Sequence, residues 1–304
     1  MSAAQLSLAM DTPVTSFQPA TAPHNEQAGL VLIVLTSFFP ETRRALQFVG
    51  ELAERLKARL VLLHIDQLAL VDDNLHLAKP AAATREMRQA LQVLAANLPV
   101  PAAIELTDDL LPRVIDNLTK RYGPALFVLG RPAAERADFA MGAAVLDVLR
   151  HARLPLLLVP ETYDGPTVPG HLAVAADDEP FALAPGAAPA RRLLHQLAPA
   201  RLTVVTVSPM QDDAACAAAL HQVRASGLLH TKATHLGVEG FYDTQADEGT
   251  LQAIDTLQAD WLVVLARQHS VLGSMFHRSI THRLLLRSPV PVLAVPATDG
   301  EQDY

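Results

Sequence analysis

The chain has one cysteine, Cys216, in 304 residues. A lone thiol excludes an internal disulfide framework and any cage of several thiolates around zinc, and it suits a reducing compartment. Aromatic residues make up only 5 % of the chain, and the 14 glycines are outnumbered by 22 prolines. The hydrophobic content therefore rests on Ala, Leu and Val, and glycine-rich loops are not a general building device here. No apolar run approaches the ~18–20 residues that span a bilayer. Positive charge is also short: the formal net charge is −8, which argues against a nucleic-acid binder, because that affinity comes from neutralising phosphates. Met1 to Gln27 contain no Lys or Arg, and Leu6 to Met10 is too short for the apolar core of a signal peptide. The composition of this segment predicts a disordered tail over residues 1–28. The expectation is a cytoplasmic protein with no membrane and no nucleic-acid partner.

What is present in abundance is repetition. Leu149-Arg-His-Ala-Arg-Leu-Pro-Leu-Leu-Leu-Val-Pro160 recurs as Leu285-Leu-Arg-Ser-Pro-Val-Pro-Val-Leu-Ala-Val-Pro296, with Pro155 and Pro160 matching Pro291 and Pro296 at one offset of 136. Upstream, Ala58-Arg-Leu-Val-Leu-Leu-His-Ile65 is echoed by Ala200-Arg-Leu-Thr-Val-Val-Thr-Val207. A period this long implies two folded domains, because solenoid repeats recur every ~20–50 residues. The boundaries fall at 29–161 and 170–297, with a short tail over 298–304. The linker between them carries three prolines and two glycines from Val159 to Gly170 and no helical period.

Within each half, short apolar runs alternate with amphipathic stretches. In the first half strands are predicted at 30–35, 60–65, 102–106, 125–129 and 156–159. Helices fall between them at 40–57, 84–97, 108–122 and 141–152, with Asp108 or Asp109 as the N-cap of the third. In the second half strands are predicted at 171–176, 202–207, 230–237, 261–265 and 290–295, and helices at 188–198, 212–226, 247–258 and 277–287. Strand runs without polar alternation, separated by helices, imply parallel sheets covered on both faces. The fold class is α/β, as two tandem, doubly wound, five-stranded Rossmann-like domains.

These elements, the Val-Leu-Arg-His-Ala helix end and the Pro-x-Leu-x-Val-Pro strand resemble the universal stress protein family. So do Ile33-Val-Leu-Thr-Ser-Phe-Phe-Pro-Glu-Thr-Arg-Arg-Ala-Leu46 and Leu172-Ala-Val-Ala-Ala-Asp-Asp178. The resemblance covers residues 30 to 297 and implies a role in stress survival. Family members that bind ATP place an acidic residue at the end of the first strand, facing the base. After the fourth strand they carry Gly-x2-Gly-x9-Gly-[Ser/Thr], whose backbone N–H groups cradle phosphates, and glycine is needed there for close backbone approach.

Both copies depart from that pattern. In the first, Gly130 and Gly142 frame the loop with one residue too few, Arg131-Pro132-Ala133-Ala134 replaces the middle glycine, Ala143 replaces the hydroxyl, and Ser37 stands at the acidic position. In the second, Asp177 keeps the acid and Ser279 the hydroxyl, while Leu265, Gln268 and Arg278 replace the three glycines. The expectation is a non-catalytic regulatory or binding protein with no bound cofactor. Neither half should bind ATP in the family's usual manner. An ATP-binding, weakly hydrolysing protein and a structural scaffold with closed pockets are the alternatives.

Two charge blocks adjoin each other. Arg267 to Arg287 contains no acid, and Glu239 to Asp260 contains no base. One reading makes Arg278, Ser279 and His282 an anion site at a helix N-terminus; the other makes both blocks solvated faces. A phosphorylated ligand other than ATP stays open on the first reading. His277 and His282 are five apart and do not share a helical face, so no metal site is expected. Asp177-Asp178-Glu179 is either a ligand-facing carboxylate cluster at a strand end or a polar loop. Ser37, Ser208 and Ser279 lack a nucleophile-elbow context. Cys216 is expected to be a small packing residue in its helix. The final strands of the two halves are expected to pair within one chain, because an exposed apolar edge is an aggregation hazard. A homodimer and a protein partner stay open.

Overall fold

In the computed structural model of the chain, residues 29–36, 40–65, 81–133, 153–230, 236–267 and 274–300 are described. The first half contains strands β1 (Val31–Leu35), β2 (Arg59–Ile65), β3 (Ala102–Thr107), β4 (Leu126–Arg131) and β5 (Leu156–Pro160). Helices α1 (Pro40–Leu56), α2 (Ala81–Ala96) and α3 (Leu111–Tyr122) lie between them. The second half has β6 (His171–Ala175), β7 (Phe181–Leu183), β8 (Arg201–Ser208), β9 (Leu236–Tyr242), β10 (Trp261–Arg267) and β11 (Val292–Asp299). Its helices are α4 (Ala188–Leu197), α5 (Asp213–Ala225), α6 (Ala246–Leu257) and α7 (Ser274–Arg287).

The strands form one continuous sheet in the order β3-β2-β1-β4-β5-β11-β10-β6-β8-β9, with β7 on β11. Inside each block of five the pairs are parallel, so the fold is α/β with two doubly wound parallel blocks. The blocks join at an antiparallel seam, where Leu156, Leu157 and Leu158 face Ala294, Leu293 and Val292. The same two strands are buried along their whole apolar length because they are central to the joined sheet.

Burial follows periodicity. Helix α1 turns Leu46, Val49, Leu52 and Ala53 into the core at helical spacing, and α3 does the same with Leu111, Val114, Ile115 and Leu118. Side-chain contacts also cross the seam. Phe48 of α1 packs on Trp261 of β10 (ring centroids 5.6 Å) and on Tyr163 of the linker (6.0 Å). Arg44 Nε donates to the Tyr163 carbonyl, and Thr167 Oγ1 donates to Glu51 Oε2 at 2.6 Å. The linker is thereby fastened to the first half. Burial pushes the Tyr163 hydroxyl well above its ordinary range, with the Asp260 carboxylate adding to the effect.

Four local expectations are corrected. Helix α3 starts at Leu111, not Asp108; its N-cap is Leu110 with no side-chain cap, and Pro112 sits in the first turn. The fixed proline φ sets the start, and Asp109 Oδ1 accepts the Leu110 N–H at 2.8 Å instead of capping the helix. The third strand of the second half is Leu236–Tyr242 rather than 230–237. It is an edge strand of alternating exposure, so it lacks the buried apolar run that marks the other strands. Strand β7 was not anticipated at all. It pairs Phe181, Ala182 and Leu183 with Asp299, Thr298 and Ala297, which carries β11 on to Asp299 instead of ending at 295. Finally, α7 begins at Ser274, so Arg278 and Ser279 fall in its second turn instead of at its N-terminus. The expected tail over 1–28, the helix over 141–152, Ser37 and Gly142 lie outside the described residues.

Candidate functional site

The register of the sheet fixes how the two halves correspond. Val31 pairs with Arg59 and His171 pairs with Arg201, so β1 and β6 start in the same register. The next backbone bonds match too: Thr36 N–H donates to Leu63 O, and Ala176 N–H donates to Val205 O. On the other side, Gly130 faces Val159 and Leu265 faces Val295. Val159 and Val295 are equivalent in the repeat, so Leu265 occupies the place that Gly130 holds in the first half. A leucine there puts a branched side chain where close backbone approach would need none.

At the carboxyl ends of β6, β8 and β10 lies a cleft of about 220 Å³. It stands where the strand order reverses, between β6 and β10, the position at which open α/β sheets bind ligands. Ala175, Val205, Val264, Leu265, Ile280 and Leu284 provide apolar walls; Asp177 and Arg267 also line it, together with Thr250 and Thr281. Of the sequence-predicted candidates, Asp177 is therefore in the cleft. Gly130 is half-buried in β4 of the other block. His282 is half-buried on α7 and is not among the residues lining the cleft. The side chains of Arg278 and Ser279 lie outside the described residues.

Arg267 dominates the electrostatics of the mouth. Its side chain is only 4 % exposed. Nη2 donates to Asp177 Oδ1 at 2.6 Å and to the Glu179 carbonyl at 3.2 Å, and Nη1 donates to Glu179 Oε2 at 3.2 Å. The guanidinium carbon lies 5.3 Å from the centre of the Phe181 ring, within cation–π range. The loop from Ala176 to Phe181 is thus gripped by one buried cation. Sequence inspection placed Arg267 only as one member of a basic block. Its position two residues past the end of the strand predicted at 261–265, on which β10 continues to Arg267, was the usable signal.

Two further members of that block, Arg283 and Arg287, are paired across the α6–α7 contact. Arg283 Nη2 lies 3.0 Å from Asp247 Oδ1, off the line of a good hydrogen bond, and Arg287 Nη1 contacts Asp247 Oδ2 at 3.4 Å and Glu248 Oε1 at 2.5 Å. Asp247 itself is fully buried. The acidic and basic stretches therefore meet each other at these residues, and they are not two independent solvated faces.

A different arginine crosses between the halves. Arg131, at the end of β4, donates from Nη1 to Leu286 O and from Nη2 to Ser288 O, both at 2.6 Å. It caps the last carbonyls of α7, the helix whose Ile280, Thr281 and Leu284 line the cleft. Burial holds its pKa below the ordinary arginine value.

Cys216 is half-buried, with Sγ 3.0 Å from Thr206 Oγ1. Among the described residues, no three His, Cys, Asp or Glu side chains are grouped so as to hold a metal ion, and no helix is long and apolar enough to cross a membrane.

A doubly wound α/β protein with a strand-end cleft is the class that fold and site define. Residues 31–160, from the first residue of β1 to the last of β5, match the universal stress protein family. Among solved structures, a universal stress protein from Archaeoglobus fulgidus is similar in fold (TM-score 0.60, 17 % identity, covering 87 % of this chain and 97 % of that one). A functionally unknown protein from Pseudomonas aeruginosa aligns with TM-score 0.51 and 15 % identity over 89 % and 93 %. The cytoplasmic domain of a prokaryotic cation chloride cotransporter aligns with TM-score 0.50 and 11 % identity over 88 % and 95 %. No curated protein matches the chain.

Proposed function

We propose that the chain is a tandem universal-stress-type regulatory or binding protein, acting in stress response in the cytoplasm without a catalytic centre. Its second-half cleft is the ligand site, and neither half takes ATP in the family's usual manner. The observation that carries this reading is the buried Arg267 locked on Asp177. A carboxylate that is to orient a base is already committed to a cation 2.6 Å away. Leu265 stands at the register position of Gly130, and a branched side chain there opposes a phosphate cradle of backbone N–H groups. The first half supports the reading from its sequence: Pro132 and Ala133 follow Arg131, and Pro132 contributes no backbone donor.

The reading includes no cofactor, no nucleic acid and no membrane. A homodimer or a protein partner would be its output. Isothermal titration with ATP and magnesium tests it: binding no tighter than high micromolar is expected. Micromolar or tighter affinity that disappears on Asp177→Ala would overturn it in favour of an ATP-binding protein. Native mass spectrometry of gently purified protein would show whether a nucleotide is retained.

A further inference from the structure

We propose that the second-half cleft binds a small amphipathic carboxylate, its anionic head on Arg267 and its apolar body between Val264, Leu265 and Ile280. The loop carrying Asp177 and Glu179 acts as an internal stand-in for that head. This rests on the cleft being the ligand site, as proposed above, and names the ligand class.

Three observations converge. First, Arg267 lines a cleft whose walls are mostly apolar, and its side chain is 4 % exposed, whereas Asp177 and Glu179 are 41 % and 56 % exposed. The cation is fixed in the wall and the acids reach to it from the solvent side. Second, what Arg267 now holds is two carboxylates and a carbonyl. Its planar fork of donors matches a planar carboxylate head, which would take over the two bonds now made to the acid side chains. Third, apart from Asp177, Thr250 and Thr281, the rest of the cleft is walled by alanine, valine, leucine and isoleucine side chains. Thr250 Oγ1 is already spent on Ala246 O at 2.6 Å. Such walls reward methylenes and offer little to a sugar or a triphosphate. At about 220 Å³, the cleft is smaller than the ~300–1,000 Å³ typical of drug-sized ligands, so the body must be short.

The loop is therefore a competitor. Residues 176–180 run from the end of β6 to β7, and β7 is anchored on β11. Displacing Asp177 and Glu179 from Arg267 would free the loop while β7 stays paired. Weakening the internal acids should then strengthen binding of the external one, a sign that a merely structural ion pair would not produce.

The test titrates the full-length protein with linear carboxylates from butanoate to octanoate, with octanol and inorganic phosphate as controls. Each added methylene should tighten binding about fourfold until the cleft is full. Octanol, which lacks the head, and phosphate, which lacks the body, should bind at least tenfold more weakly than octanoate. The Asp177→Asn/Glu179→Gln double variant should bind octanoate severalfold more tightly than wild type, and Arg267→Met should erase the preference for octanoate over octanol. If Arg267→Met does not fold, the double variant decides. Affinity independent of chain length, equal affinity for octanoate and octanol, or a double variant that binds no better than wild type would each overturn the proposal. Should the series fail while ATP stays unbound, only the ligand class falls. Tight ATP binding would remove the underlying reading separately.

Discussion

Leu157 and Leu293 lie directly opposite each other across the antiparallel seam, and they are also equivalent positions in the sequence repeat. Equivalent residues that face one another mark a local twofold axis, so the joined sheet is pseudo-symmetric about this pair. Both side chains are fully buried. Directly opposed residues in an antiparallel pair have Cβ atoms ~4.5–5.5 Å apart, close enough to couple.

Replacing Leu157 or Leu293 by alanine should cost about 2–5 kcal/mol each, through lost burial and the cavity left behind. Because the two are directly opposed, the double variant should depart from additivity by about 0.5–3 kcal/mol. Urea denaturation of the four proteins in the cycle gives this directly. Strict additivity would mean that the seam does not couple the halves through this pair.

Arg131 should matter to the second half although it belongs to the first. Arg131→Met leaves Leu286 O and Ser288 O without their charged donor, and hydrogen bonds to charged groups are worth about 1.5–3 kcal/mol. The expected result is faster amide exchange across the C-terminal turn of α7, with β1 and β2 protected as in wild type. Uniformly faster exchange throughout the first half would show that Arg131 acts on its own block instead.

His171 predicts a pH dependence. It is buried, its Nδ1 bonds Leu257 O at 2.9 Å and its Nε2 bonds Thr203 Oγ1 at 2.8 Å. A carbonyl can only accept, so Nδ1 carries the proton and Nε2 accepts from the threonine in the neutral ring. Burial pushes the histidine pKa down, the Leu257 bond opposing this only in part. The unfolded chain, at about 6.5, then takes up a proton before the folded one. The stabilisation is complete above that value and is lost as pH falls towards the depressed folded pKa. Melting temperatures measured down from neutral pH should fall in wild type and fall less steeply in His171→Gln. Parallel curves would assign the acid sensitivity to other groups.

Gly249 tests the closeness of α6 to the sheet. A Cβ at this position would stand 2.4 Å from Val207 Cγ1. In a helix interior, alanine is ordinarily better than glycine by about 1 kcal/mol. Here the overpacking, typically ~1–3 kcal/mol, should outweigh it. Gly249→Ala should lower the melting temperature, and pairing it with Val207→Ala should restore much of the loss.

Much of the fold was legible because it is written in local periodicity. Apolar runs such as Leu126 to Leu129 and the spacing of Leu46, Val49, Leu52 and Ala53 depend only on which face of an element meets the core. The equivalence of Leu265 and Gly130 was legible for a related reason: the repeat aligns the strands, and the ladder keeps that alignment. Asp177 was found through the same alignment, at the end of a first strand. Other features have no local signature. Strand β7 is three residues long and exists because the far end of β11 offers an unpaired edge. Strand β9 was misplaced because an edge strand needs burial on fewer sides, and its alternation is diluted by Gly237 and Gly240.

The sequence by itself determined the α/β class and the alternation of most strands and helices among the described residues, since both follow from residue types at short spacing. Only the tertiary structure decided the charge pairing and the seam register. Arg267 meets Asp177 across 90 residues of chain, Arg131 meets Leu286 across 155, and Arg283 meets a carboxylate that is fully buried. Whether an arginine ends in solvent, on a carboxylate or on a helix terminus depends on what the fold brings within a few ångströms of it and on how far it is desolvated. Coulomb and hydrogen-bond energies at that range are set by distance and burial, and neither is a property of the residue's neighbours in sequence.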